Sequence, residues 1–182
     1  MPIVLETERL TLTPIDESSL DAFAVFMADP EVMRFIGGET LDRNEVEIRL
    51  GMMRERFERD GFGHFVLTRK ADGRIVGRAG LLVWTVPEWT ITTRAEAQGD
   101  YEIELGWTLG REFWGHGYAT EAARAIQEFA FGELGLDRLI SLIDPENVAS
   151  VAVARRLGME IEGAVELPKA TVQVWATRPV RP

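Results

Sequence analysis

The 182-residue chain contains no cysteine. Disulfides, thiolate metal sites and a cysteine-linked acyl-enzyme are therefore excluded. Histidine is almost as scarce: His64 and His116 are the only two, too few for a histidine-rich metal site, and no metal is expected. Lysine occurs only at Lys70 and Lys169, so no glycine-rich stretch ends in the Gly-Lys pair that a P-loop requires. No apolar run approaches the ~18 residues of a membrane span, and residues 1–10 lack the basic-then-apolar order of a secretory signal. A cytoplasmic location and no membrane partner are the expectations. Internal repeats, low-complexity tracts and Pro/Gly/Ser-rich linkers are also missing. At this length, one domain over residues 1–182 is expected.

Positive charge is in deficit. Thirty acidic residues face twenty basic ones, for a formal charge of −10. Nucleic acid is a poor partner for such a surface, because phosphate neutralisation needs clustered cations. A cationic small molecule or peptide suits it better, although many proteins are acidic for solubility alone. The hydrophobic fraction of 46% is ordinary for a packed core.

The hydrophobic pattern alternates between two periods. Ile3-Val4-Leu5 and Arg9-Leu10-Thr11-Leu12-Thr13 read as extended. Asp16-Glu17-Ser18 offers a cap to a helix through Phe23, Val25 and Phe26, and Asp29-Pro30-Glu31 opens a second short one. Residues 41–59 place Val46, Leu50, Met53 and Phe57 at helical spacing. Two strand-like runs, 64–68 and 75–84, flank Asp72-Gly73, a hairpin signature. Residues 85–99 read as a long irregular connection that includes Trp89, and 101–109 as a further strand. The remainder reads as helix 117–134, buried strand 139–143, helix 148–157 and closing strand 171–176. Strands and helices interleave, so the expected class is mixed α/β.

One segment carries chemistry. Trp114-Gly115-His116-Gly117-Tyr118-Ala119-Thr120-Glu121 follows a strand and opens a helix. Its glycines let backbone N–H groups approach a ligand, and the helix start adds unpaired donors and about half a positive charge. A pyrophosphate suits that arrangement, although two glycines also make a tight turn without any ligand. A dinucleotide fingerprint fits poorly: it wants glycine or alanine at Thr120 and belongs to the first strand–helix unit. That weighs against a nucleotide-binding oxidoreductase.

The segment from Gly115 to Ala119 resembles the coenzyme A loop of the GNAT acetyltransferases, whose pattern is Arg/Gln-x-x-Gly-x-Gly/Ala. Trp114, Gly117 and Ala119 fall on its first, fourth and sixth positions, and Trp114 departs from the general pattern. Trp-Gly-x-Gly-Tyr-Ala-Thr-Glu-Ala is similar to the branch that holds the ribosomal-protein N-terminal acetyltransferases. Three more segments agree with that branch: Glu6-Thr7-Glu8-Arg9-Leu10, Glu104-Leu105-Gly106-Trp107-Thr108-Leu109, and Asn147-Val148-Ala149-Ser150 followed by Arg156-Leu157-Gly158-Met159. The four come in family order and span nearly the whole chain.

The resemblance implies a central, mostly antiparallel twisted sheet, flanked by helices and splayed where acetyl-CoA binds. Trp107, Thr108 and Leu109 would offer backbone hydrogen bonds to the pantetheine arm. The loop of Trp114, Gly115, His116, Gly117, Tyr118, Ala119 and Thr120 would hold the pyrophosphate. Asn147 would contact the pantetheine, and Ser150 would sit near the thioester sulfur. Met33, Arg34 and Phe35 would border the pocket of a small-molecule or peptide amine.

Acetyl transfer to that amine sets chemical requirements. An N-terminal amine with pKa near 8, or a lysine near about 10.4, must lose a proton before it attacks. The departing thiolate then benefits from gaining one. Glu104 is the candidate base, with Glu102 as the alternative carrier; both also suit exposed positions on a half-buried strand. Ser150 is the candidate acid, because the tyrosine that many family members use is replaced by Ala154. Taken alone, Asn147 reads as a helix N-cap and Ser150 as a structural serine. Two functions stay open: an N-acetyltransferase, monomeric or homodimeric, and a non-catalytic module that binds acyl-CoA.

Overall fold

The computed structural model describes residues 3–180. Nine strands form one sheet: β1 (Leu5–Glu6), β2 (Leu10–Pro14), β3 (His64–Arg69), β4 (Ile75–Thr85), β5 (Ile91–Thr92), β6 (Tyr101–Leu109), β7 (Leu139–Ile143), β8 (Glu160–Leu167) and β9 (Ala170–Thr177). The order is β1-β2-β3-β4-β6-β7-β9-β8, with β5 added to β4. Every pairing is antiparallel except β6 with β7. The helices are α1 (Leu20–Met27), α2 (Pro30–Met33), α3 (Arg43–Asp60), α4 (Tyr118–Gly132) and α5 (Val148–Arg156). The expected mixed α/β architecture is the one observed.

Local chemistry sets the helix ends. In α3, Asp42 accepts from the Glu45 amide while the Glu45 carboxylate accepts from the Asp42 amide, a reciprocal capping box. Gly61 closes the same helix in the left-handed region at φ 74. Asp29 caps α2 through the Glu31 amide, with Pro30 at the first helical position. The buried stripe Val46, Leu50 and Met53 anchors α3 to the core.

Cross-strand partners share a face of the sheet, which sorts the strand residues into two sets. On one face lie Phe65, Leu67, Ala79, Leu81 and Leu105. Phe129 of α4 meets Phe65 edge-on there, an aromatic pair worth about 0.5–1.5 kcal/mol beyond its buried area. The other face carries His64, Arg78, Gly80, Leu82, Glu104, Gly106 and Thr108. α3 lies toward this second face, where Arg49 and Arg56 come close enough to influence Arg78 and His64.

Two elements differ from expectation. The 85–99 connection contains β5 rather than being irregular throughout, and its Trp89 packs against the cluster of Ile140, Val174 and Ala176. β8 was not expected at all. Its sequence, EIEGAVEL, is exposed at six of its eight positions and lies at the sheet edge, so it has no buried face to impose alternation.

Candidate active site

β6 and β7 run parallel but pair at a single position, Glu104 with Ile140. Beyond it the strands part, and Gly106 to Leu109 find no ladder partner on the β7 side. Two side chains bridge the start of the gap. Ser141 Oγ donates to the Leu105 carbonyl at 2.6 Å, and the Leu142 amide donates to Glu104 Oε1 at 3.3 Å. Trp107, Thr108 and Leu109 therefore lie along an unpaired edge, as a ligand that hydrogen-bonds like a strand requires.

Glu104 sits at the fork. Trp84 Nε1 donates to its Oε2 at 2.6 Å. The carboxyl is desolvated by its surroundings, and this pushes its pKa up, despite the bonds from Trp84 and Leu142 and the nearby Arg78 charge. A carboxylate with a raised pKa is a better proton acceptor than a surface glutamate. Glu102, two residues earlier, is differently placed. It is held by Arg138 at 2.9 Å, and Arg138 also pairs with Glu162. The alternative base is thus engaged in an ion-pair network.

The glycine loop has the expected local geometry. Gly115 and Gly117 adopt φ 77 and 81, the left-handed region that favours glycine. Gly117 is the N-cap of α4, and no side chain caps the helix. The first bond of the helix runs from the Glu121 amide to the Gly117 carbonyl. The amides of Tyr118, Ala119 and Thr120 thus precede the first helical hydrogen bond. Trp114 ties the loop to the sheet, its Nε1 donating to the Leu109 carbonyl at 2.9 Å. His116 uses its backbone carbonyl, which accepts from Arg9 Nη1 at 2.9 Å.

Sequence reasoning missed the brace beneath this loop. Arg9 Nε donates to Glu121 Oε2 at 2.6 Å, the Arg9 amide to Oε1 at 2.8 Å, and Thr7 Oγ1 to Oε1 at 2.6 Å. Desolvation of Glu121 works the other way, but these bonds hold its pKa low. The guanidinium also stacks 4.7 Å from the centre of the Tyr118 ring. The motif at residues 6–10 was the available signal, since it accompanied the loop motif in the resemblance.

Across the gap, Asn147 caps α5 by accepting from the Ser150 amide at 3.1 Å. Ser150 Oγ lies 3.2 Å from Trp107 Nε1, which donates to it. The hydroxyl therefore keeps its own hydrogen for another acceptor. Ala154 is fully buried in the same helix. Of the segment expected at the acceptor pocket, Met33 is 1% exposed and belongs to the core. Arg34 is exposed, stacks on Phe35, and reaches Glu146 beside Asn147 at 3.8 Å. This brings the end of α2 to the β7–α5 turn, through a surface contact worth at most about 1 kcal/mol.

Residues 9–160 match the family model of the acetyltransferase (GNAT) domain. The chain belongs to the GNAT acetyltransferases. An N-acetyltransferase of Bacillus licheniformis is 26% identical over 160 residues, covering 87% of this chain and 83% of that protein. An acetyltransferase structure from Agrobacterium tumefaciens shares 28% identity at a TM-score of 0.79, covering 98% and 96%. A ribosomal L7/L12 alpha-N-protein acetyltransferase solved with coenzyme A shares the fold, with a TM-score of 0.77, 15% identity and coverage of 97% and 98%. In this GNAT protein acetyl-CoA is the co-substrate, and the residues fit it: a helix start with uncapped amides, left-handed glycines and an unpaired strand edge. Among the described residues no helix is long and apolar enough to cross a membrane.

Proposed function

We propose that the protein transfers an acetyl group from acetyl-CoA to a primary amine, either a protein N-terminus or the amine of a small molecule, by direct attack. The observation that carries this reading is the placement of Glu104: a desolvated carboxylate with a raised pKa at the point where β6 and β7 part. The loop from Trp114 to Thr120 receives the pyrophosphate. The free edge of Trp107, Thr108 and Leu109 aligns the pantetheine arm, with Asn147 at its other side. Bound acetyl-CoA supplies an activated acyl carbon.

Glu104 takes the proton of the ammonium, directly or through one water, and Trp84 and the Leu142 amide hold the carboxylate in place. Ser150 is suited to the opposite task. Its oxygen already accepts from Trp107, so its proton is free to stabilise the leaving sulfur. A serine is a weak acid, so this contribution is hydrogen bonding rather than full proton transfer. Arg34 and Phe35 border the acceptor entrance, and Glu102 contributes by anchoring Arg138.

One observation favours a second reading, a coenzyme-binding module without transfer chemistry: Ala154 stands where the acid tyrosine would be. A calorimetric titration of acetyl-CoA, with NADH as control, followed by an assay of amine-dependent thiol release, separates the two. Micromolar binding of acetyl-CoA together with thiol release supports the enzyme. Binding without release to any amine supports the module, and absence of binding defeats both.

A further inference from the structure

Arg78 is a buried charge for which the mechanism above has no use. It is 8% exposed, and its Nε has no hydrogen-bond partner among the described residues. Arg69 and Arg138 hold carboxylates within ion-pair distance, whereas Arg78 has none among the described residues. A buried cation without a partner is costly, and its desolvation pulls the Arg78 pKa down to about 10. An anion arriving from outside would offset that cost.

The sheet register shows where such an anion would lie. Arg78 pairs with Thr108, Gly80 with Gly106, and Leu82 with Glu104, all on one face. The rung between Arg78 and Glu104 is thus made of two glycines. Gly80 is required, because a side chain there would meet the Gly63 carbonyl oxygen at 2.2 Å. Gly106 is not crowded: nothing lies within 4 Å of where its side chain would begin. The open space over Gly106 is bordered by Glu104 and Thr108 along β6 and by Arg78 and Leu82 across it. Gly106 is the diagonal neighbour of Arg78, a distance that a long side chain spans.

Other cations influence the groups on this side of the sheet. Arg49 on α3 adds a second cation near Arg78, Arg56 lies near His64, and burial keeps His64 neutral. Glu104 is the carboxylate whose charge reaches Arg78. The overall charge of −10 attracts cations at long range. Close to Arg78 a second positive group is disfavoured, which leaves Glu104 for one amine.

Resting on the acetyltransferase reading above, we propose that the acceptor amine carries a carboxylate or comparable compact oxyanion, which the Arg78 guanidinium receives over Gly106 while the amine faces Glu104. The two side chains stand four strand residues apart, about 13 Å between Cα atoms. An acceptor that reaches both groups across that interval is compact, with its amine and its anion at opposite ends.

The test is kcat/KM for a panel of α- and ω-amino acids, each against its carboxamide and its decarboxylated amine, with spermidine and short peptides included. Wild type is expected to favour the acid of each accepted set by at least about tenfold, and Arg78→Gln to shrink that ratio to within about threefold. Arg78→Lys, which keeps the charge, is expected to retain part of the preference, and it decides the matter should Arg78→Gln fail to fold. Wild type that accepts carboxamides or spermidine as well as acids overturns the inference and leaves the acetyltransferase reading intact. So does a preference that survives in Arg78→Gln, or a tenfold loss of acetyl-CoA affinity in that variant, which would assign the guanidinium to the coenzyme. Wild type that binds acetyl-CoA and acetylates nothing in the panel defeats the acetyltransferase reading itself, and the inference with it.

Discussion

The loop proposed to hold the coenzyme pyrophosphate is a run of consecutive residues, 114–120, braced from below by Thr7, Arg9 and Glu121. The face that bears Glu104 is assembled differently. Its partners His64, Arg78, Trp84 and Leu142 come from three other strands and meet only through the register of the sheet. In the proposed function the first region binds through backbone amides, so local conformation matters and side-chain identity matters little outside the glycines. The second works through side-chain atoms whose environments are set by distant residues. Substitutions should therefore separate the two regions cleanly: coenzyme affinity for the loop, turnover and pH dependence for the face.

The largest expected effect lies on the face. Glu104→Gln should lower turnover by about 10²–10⁴-fold, the usual worth of a positioned base, and leave acetyl-CoA affinity within about threefold. Calorimetry beside steady-state kinetics checks both halves. Next comes Gly117→Val on the loop. At φ 81 a β-branched residue is strained, at roughly 1–2 kcal/mol or more. Acetyl-CoA affinity is expected to fall about tenfold or more, and an unchanged affinity would mean that the loop does not hold the coenzyme.

Arg9→Ala tests the brace. It removes the guanidinium bonds to Glu121 and to the His116 carbonyl, and a several-fold loss of acetyl-CoA affinity with little change in the pH profile is expected. Trp84→Phe does the reverse. Loss of the bond to Glu104 Oε2 should raise the Glu104 pKa further and move the acidic limb of kcat/KM to higher pH, without weakening coenzyme binding.

His64 gives the smallest effect, on stability alone. Burial holds its pKa well below the ordinary value, so the unfolded chain takes up a proton that the folded one refuses. Wild-type stability should fall as pH drops from about 6.5 toward the folded-state pKa. His64→Gln should remove that part of the slope in a series of denaturation curves between pH 7 and 5.

The same contrast explains what could be read from the sequence. α3 announced itself through the Val46, Leu50, Met53 and Phe57 spacing, because periodicity is a local signal, while its Asp42–Glu45 capping box emerged only from the structure. The loop 114–121 was legible for the same reason, and so was β6, through its alternation of Glu102 and Glu104 with Ile103 and Leu105. β8 was not, since an edge strand exposed at most positions carries no alternation to detect. Nor could spacing distinguish Glu104 from Glu102. The two have the same parity on one strand, and only the Trp84 bond and the Arg138 ion pair tell them apart. The orphaned Nε of Arg78 was equally invisible, because it depends on which residues of β6 stand opposite β4.

The most direct test of the account is the pH dependence of kcat/KM for wild type and Glu104→Gln with one accepted amine. The account predicts an acidic limb in wild type, at a pKa above the ordinary glutamate range. In the variant that limb should be absent from a much lower plateau, with acetyl-CoA binding retained. The same limb in both proteins, at similar rates, would mean that another group takes the proton and would contradict the assignment on which the mechanism rests.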